Sequence, residues 1–214
     1  RYEMADEFVD IMKQLWISDE NLDIEGKFYK MKKGFVSPKP RHGRPVIVNA
    51  SSSGPGFDFA AEHSDLLFIT RPVGKDVYGL LKEHNGNIKS RAAEQGKSVK
   101  TIINPHIICA DTEKEAFARR QAFIDHADPV ALENFFSLIT GGDTVSWKGA
   151  VMDDLAVGGN MQIVGTPEQV VEKMMRLHDA GIDGIQVNFY DYLPDLEYFG
   201  ERVLPLMKEA GLRN

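Results

Sequence analysis

The chain has 214 residues, 43% of them hydrophobic and 27% charged, with 32 acidic against 25 basic side chains and a formal net charge of -7. This composition suits a globular domain with a sizeable core, and the acidic balance argues against nucleic acid or an anionic membrane surface as the main partner. The single cysteine, Cys109, excludes a disulfide framework within the chain and points to a reducing cytoplasm, and no apolar run approaches the ~18 residues of a membrane helix.

The chain opens on Arg1 rather than methionine, and Met4, Phe8, Ile11, Met12, Leu15 and Trp16 already repeat at helical spacing, so it reads as part of a longer protein. This amphipathic helix ends near Ser18. Leu22 to Pro40 reads as an irregular excursion with a small hairpin. A βα rhythm follows. Pro45–Ala50 is a buried strand, Ser51–Gly56 a polar turn and Phe57–His63 a helix. Asp65–Thr70 is a second strand, Lys75–Gln95 a long helix and Thr101–Ala110 a third strand. A charged helix over Thr112–Asp125 follows, with Asp111 or Thr112 as its N-cap. Gly165-Thr166-Pro167-Glu168-Gln169 starts a helix, with Thr166 as N-cap, Pro167 at N1 and Gln169 closing a capping box; Gly181 stops it. Gly184–Phe189 is the fourth strand and Leu196–Ala210 the last helix. Strands alternating with helices mean a parallel sheet. Residues 129–162 break the rhythm with one helix and several glycines. They read as an insertion, with Gly141–Gly159 expected to be its most mobile part.

Three places carry candidate chemistry. The turn containing Ser52, Ser53 and Gly54 lies between a strand and a helix, where hydroxyls and backbone N–H groups suit a phosphate; a plain surface turn fits the same composition. Asn104 and His106 share one face of the third strand, and there His106 is either a donor to a ligand or a hydrogen-bonded core histidine. Tyr190 follows the last strand, a position for a site residue or for packing under the final helix. The sequence carries no His/Cys/carboxylate cluster with metal-ligand spacing, no phosphate-binding P-loop and no nucleophile elbow, which leaves the chemistry to an organic cofactor.

Taken in order, Arg1-Tyr2, Lys27-Phe28-Tyr29, Pro38-Lys39-Pro40, PVIVNASSS, His63-Ser64-Asp65, ADTEKEAF, IVGTPEQV, AGIDGIQV and Phe199-Gly200-Glu201-Arg202-Val203-Leu204-Pro205-Leu206 resemble the luciferase-like flavin monooxygenases. The resemblance runs from Arg1 to about Leu212. It implies an α/β fold, the (β/α)8 TIM barrel of that family, with residues 1–214 forming the C-terminal half of one barrel domain, strands five to eight, and residues 129–162 its insertion or lid. It implies FMN, delivered as FMNH2 by a separate flavin reductase, with O2 and a small organic molecule as substrates, in a cytoplasmic homodimer or tetramer. Arg1, Tyr2, Ser52, Ser53 and Gly54 would hold the FMN phosphate and ribityl chain, and His106, Asn104 and Tyr190 would face the reaction. Asn104 replaces an arginine found in the alkanesulfonate members, which favours a neutral substrate. This half alone is expected to be inactive. A deazaflavin-dependent oxidoreductase of the same superfamily and a non-catalytic flavin-binding or half-barrel fragment are the alternatives.

Overall fold

A computed structural model describes residues 1–50, 54–70, 72, 76–141 and 152–213. They form two compact units, Arg1–Leu67 with Ala92–Val99, and Phe68–Arg91 with Lys100–Asn214. Among the described residues no helix is long and apolar enough to cross a membrane.

The first unit opens with α1 (Tyr2–Ile17), followed by the antiparallel pair β1 (Leu22–Glu25) and β2 (Lys30–Gly34). Glu7 on α1 ties this hairpin down, because its carboxylate accepts the N–H groups of Phe28 and Tyr29, the latter at 2.8 Å. β3 (Val48–Asn49) runs parallel to β4 (Leu66–Phe68), pairing Val48 with Leu66. α2 spans Gly54–His63, starting three residues before the expected Phe57. Asp65 fixes the entry to β3: it takes a two-pronged bond from Arg44 at 2.7 Å and accepts the Ile47 N–H at 2.9 Å. His63 is buried between α2 and α1, with Asp6 3.0 Å from its Nε2 and the Lys13 ammonium 3.0 Å from its Nδ1.

The second unit holds most of α3 (Val77–Glu94) and a strand that runs from Lys100 to Cys109. The expected single strand over Thr101–Ala110 is split at Asn104-Pro105 into β5 (Lys100–Ile103) and β6 (His106–Cys109), because proline has no N–H to give to a ladder. One edge of it is occupied throughout by the last strand: β8 (Gly184–Ile185) pairs in parallel with Ile102 and Ile103, and Asn188 bridges to His106. The opposite edge changes partner. Ile102 accepts the Ile69 N–H, and four residues on the His106 N–H donates to Met161 O, at the start of the parallel strand β7 (Gln162–Gly165). β7 was absent from the expected pattern. Its β-branched Ile163-Val164 pair follows directly on the glycine-rich segment and is too short to form a strand pattern of its own.

The helices start where the caps predict. Thr112 before α4 (Glu113–Asp125) and Thr166 before α7 (Pro167–Asp179) each complete a capping box, with Glu115 and Gln169. After α7 comes Gly181 at φ +82°, a turn that suits glycine. The last helix begins earlier than expected, as α8 (Tyr192–Tyr198), and passes through a π-helical turn at Phe199–Val203 into α9 (Leu204–Glu209). The widened turn stands immediately before Pro205, whose missing N–H would break an α-helical ladder there.

The 129–162 segment contains α5 (Pro129–Gly141) and α6 (Met152–Ala156); residues 142–151 lie outside the described ones. Its C-terminal part does not match the expected mobile stretch. Val157 is fully buried with Ile108, Ala116 and Val164, and Asp154 sits within reach of Arg120 and accepts from Gln162 at 3.2 Å. Packing therefore outweighs the conformational freedom that Gly158 and Gly159 would otherwise bring.

Candidate functional site

Side chains alternate along a strand, and on Lys100–Cys109 the alternation is visible as burial. Thr101, Ile103, Pro105, Ile107 and Cys109 are buried, while Ile102, Asn104 and His106 are half-buried on the other face, where Ile108 alone of the later residues is buried, under Val157 and Ala116. Asn104 and His106 thus share the face anticipated for them. The structure also brings His106 and Tyr190 together, with ring centroids 4.6 Å apart and planes tilted by 30°. Tyr190 stacks in turn on Phe123 of α4 at 3.8 Å, and its hydroxyl donates to the Ala156 carbonyl at 3.3 Å. The main chain at Asn104 is held from the last strand, where the Asn188 amide donates to its carbonyl at 3.4 Å.

The electrostatics of this cluster follow from burial. His106 Nδ1 is buried and has no hydrogen-bond partner among the described residues. Burial pushes the imidazole pKa below its ordinary value, which favours the neutral ring at neutral pH, and pushes the Tyr190 phenol up, which keeps its proton. The arrangement offers a neutral imidazole and a phenol beside the C-terminal stretch of a parallel strand, where α/β folds build their ligand sites. Phe123 and Gly158 complete the cluster and were not anticipated. Their proximity depends on contacts across 32 to 67 residues of chain, as ring and Cβ geometry against Tyr190 and His106 reveal. The one sequence signal was the Gly158-Gly159 pair.

The expected phosphate site belongs to the first unit. Ser52 and Ser53 lie outside the described residues. Gly54 is the first residue of α2, and a Cβ there would meet nothing within 4 Å. The first turn of α2 carries no acidic residue, and the positive dipole end of a helix is the kind of place a phosphate takes. Tyr2 packs on Phe59 of α2 at 5.8 Å between centroids and lines a ≈ 410 Å³ cavity together with Pro55, while the Arg1 guanidinium lies 5.3 Å from the Tyr2 ring. That cavity is also lined by Glu3, Asp6, Asp10, Asp58 and Glu62. Five carboxylates repel an anion, so of the two places the start of α2 suits a phosphate and the cavity does not.

The sequence profile described as luciferase-like monooxygenase matches residues 1–184. An FMNH2-dependent dimethylsulfone monooxygenase of Pseudomonas fluorescens is 34% identical over 218 residues, which cover 98% of this chain and 58% of that protein. The pyrimidine monooxygenase RutA of Acinetobacter baylyi is 31% identical over 214 residues, 97% of this chain and 57% of its own length. In fold, the chain superposes along its whole length on 56% of the crystal structure of DmoA from Hyphomicrobium sulfonivorans, with a TM-score of 0.84 at 22% identity. The chain thus spans somewhat over half the length of the relatives it matches.

Proposed function

Because the chain belongs to the luciferase-like monooxygenase family, we propose that it is the C-terminal part of an FMNH2-dependent, two-component monooxygenase that oxygenates a small neutral organic molecule with O2. The observation that carries this reading is the similarity, along nearly the whole chain, to an enzyme named as FMNH2-dependent. Both units are read as parts of one barrel domain, completed by the portion of the protein outside this chain, in a homodimer or tetramer served by a separate flavin reductase.

Reduced FMN supplies the electrons that activate O2. The chain's own residues do the rest. The start of α2, with no acidic residue in its first turn and room beside Gly54, would hold the phosphate; Tyr2 and Arg1 would stand by for the ribityl chain. His106 is a neutral donor that would orient a polar oxygen without adding net charge, and Tyr190, whose hydroxyl proton goes to the Ala156 carbonyl, holds its ring. Asn104 on the same strand face supplies an amide where a cation would favour an anion, which supports a sulfone or a heterocycle over a sulfonate.

The test is flavin titration of the full-length protein. FMN and FMNH2 are expected to bind, and Gly54→Glu, which has room for its side chain, is expected to weaken FMN at least about tenfold through charge at a helix start. Riboflavin, lacking the phosphate, should be affected far less. Equal losses for both flavins would put the phosphate elsewhere; no FMNH2 binding by the parent protein would end the monooxygenase reading.

A further inference from the structure

A neutral imidazole carries one proton, and the surroundings of its two nitrogens decide which of them holds it. At His106 those surroundings are unequal. Nδ1 is buried without a partner among the described residues, and what stands over it is Gly158. A Cβ at Gly158 would lie 3.1 Å from Nδ1, 3.0 Å from Cε1 and 3.7 Å from the Tyr190 hydroxyl oxygen, so only a glycine leaves this edge of the ring room, and what closes over Nδ1 is apolar backbone. A bare lone pair tolerates such a cover, whereas an N–H there would have nothing to receive its proton.

From this geometry we infer that Gly158 holds His106 as the Nε2–H tautomer, so that the residue presents a hydrogen-bond donor, not a base, to whatever binds beside it. Gly158 is therefore a positioning residue. It sits at φ +85°, at the end of α6, with its own N–H bonded to Leu155 O at 2.9 Å, and the burial of Leu155 and Val157 anchors that turn. Tyr190 is the second positioning residue: it is stacked between His106 and Phe123 and tied to Ala156, and it fixes the ring plane from the other element. The lowered imidazole pKa agrees, since a ring that stays neutral at neutral pH keeps a single tautomer to present. For the proposed oxygenation, on which only the consequence for catalysis rests, a fixed Nε2–H would donate to an oxygen of the substrate or of the reacting O2, and would not abstract a proton.

The experiment is long-range ¹H–¹⁵N correlation spectroscopy of the full-length protein labelled at histidine, with His106→Gln to assign the His106 signals. The expected pattern at neutral pH is a pyrrole-like shift for Nε2 and a pyridine-like shift for Nδ1. The reverse pattern, two pyrrole-like nitrogens, or averaged shifts would overturn the tautomer. In Gly158→Ala the His106 shifts are expected to move while those of the other histidines stay in place; unmoved His106 shifts would remove Gly158 from its role. The spectrum needs no substrate and no turnover. An Nε2–H ring in a protein that binds no flavin would leave this inference intact and the functional reading broken, and an Nδ1–H ring in an active monooxygenase would do the opposite.

Discussion

Asn85 is 2% exposed, and all three of its ordinary side-chain bonds are made inside the second unit. Its amide donates to Ala180 O at 3.1 Å and to Gly181 O at 2.6 Å, and its carbonyl accepts from the Thr101 hydroxyl at 2.7 Å. Asn85→Ala removes all three. Two of the stranded groups keep a second partner, since Lys89 still donates to Gly181 O at 2.8 Å and Thr101 still reaches Asp183 at 3.3 Å. Only Ala180 O loses its side-chain donor outright. At about 1 kcal/mol net for each bond, with a further penalty for one buried orphan, the loss is about 3–4 kcal/mol. Gly181 offers an internal check. Gly181→Ala puts a side chain at φ +82°, at about 1–2 kcal/mol, and sets its Cβ 2.7 Å from the Asn85 amide nitrogen. With Asn85 already shortened to alanine the collision is gone and only the backbone part remains, so the double variant should be more stable than the sum of the two singles implies. Urea unfolding of the four proteins measures this. A loss below about 1 kcal/mol for Asn85→Ala, or strict additivity in the cycle, would refute the reasoning.

Further outcomes follow from other residues. The Asp65 carboxyl is held down to about 2, chiefly by Arg44 and also by the Ile47 N–H, from an ordinary value of 3.8. A depressed carboxylate contributes stability above its unfolded pKa and loses it as pH falls through the folded one; with a side chain 36% exposed, that contribution is at most about 1 kcal/mol. The stability difference between the parent protein and Asp65→Asn should therefore be constant from neutral pH down to about 5 and shrink between pH 4 and pH 2, as read by unfolding at each pH. Burial, then Glu168, raises the Cys109 thiol to about 11, and the residue is 6% exposed. Iodoacetamide should leave it unmodified in the native protein and alkylate it in urea, followed by peptide mass spectrometry; native labelling at the unfolded rate would contradict the burial. Thr166→Ala removes one arm of the α7 capping box and should cost about 1 kcal/mol in the same unfolding assay, with Thr166→Ser close to the parent.

The elements that local chemistry determines were legible before any coordinates. Thr112 and Thr166 announce their helices because a capping box is written within four residues, and Gly181 marks a turn that only its own backbone decides. The parallel strands were legible as apolar runs but form over shorter spans: the expected buried strand Pro45–Ala50 is Val48–Asn49 alone, with Val46 and Val48 exposed, and Gly184–Phe189 is Gly184–Ile185. What escaped was set by distant partners. β7 is four residues long and becomes a strand because β6 leaves an edge for it to pair with. The break at Pro105 was written in the sequence, yet a run as apolar as Thr101–Ala110 masks it. The π-helical turn before Pro205 is likewise visible only afterwards. Within the candidate site, His106 and Tyr190 could be named one by one, as polar groups at the ends of strands. Their stacking, the Phe123 platform and the Gly158 cover depend on α4 and α6 folding back over β6, which no local pattern specifies.

The strand from Thr101 to Cys109 separates two kinds of polar group. At its start, Thr101 is fully buried, its hydroxyl donates to Asn85 and its N–H to the Asp183 carboxylate, which is itself bonded to Lys89 at 2.7 Å. Five residues on, the buried Nδ1 of His106 has no hydrogen-bond partner among the described residues. A fold closes polar networks where it needs only stability, and an imidazole held outside such a network keeps its other nitrogen for a ligand. The two ends should therefore respond to substitution in opposite ways. Asn85→Ala, acting at the closed end, is expected to lower the unfolding free energy and leave the FMN dissociation constant within about twofold. His106→Ala removes no ring hydrogen bond seen among the described residues, so it should leave stability within about 1 kcal/mol, the cost of its aromatic contact, while lowering turnover by about 10² or more. Measured side by side on the full-length enzyme, equal losses of stability from both substitutions would mean that His106 is a packing residue and that the open end of the strand is not the site.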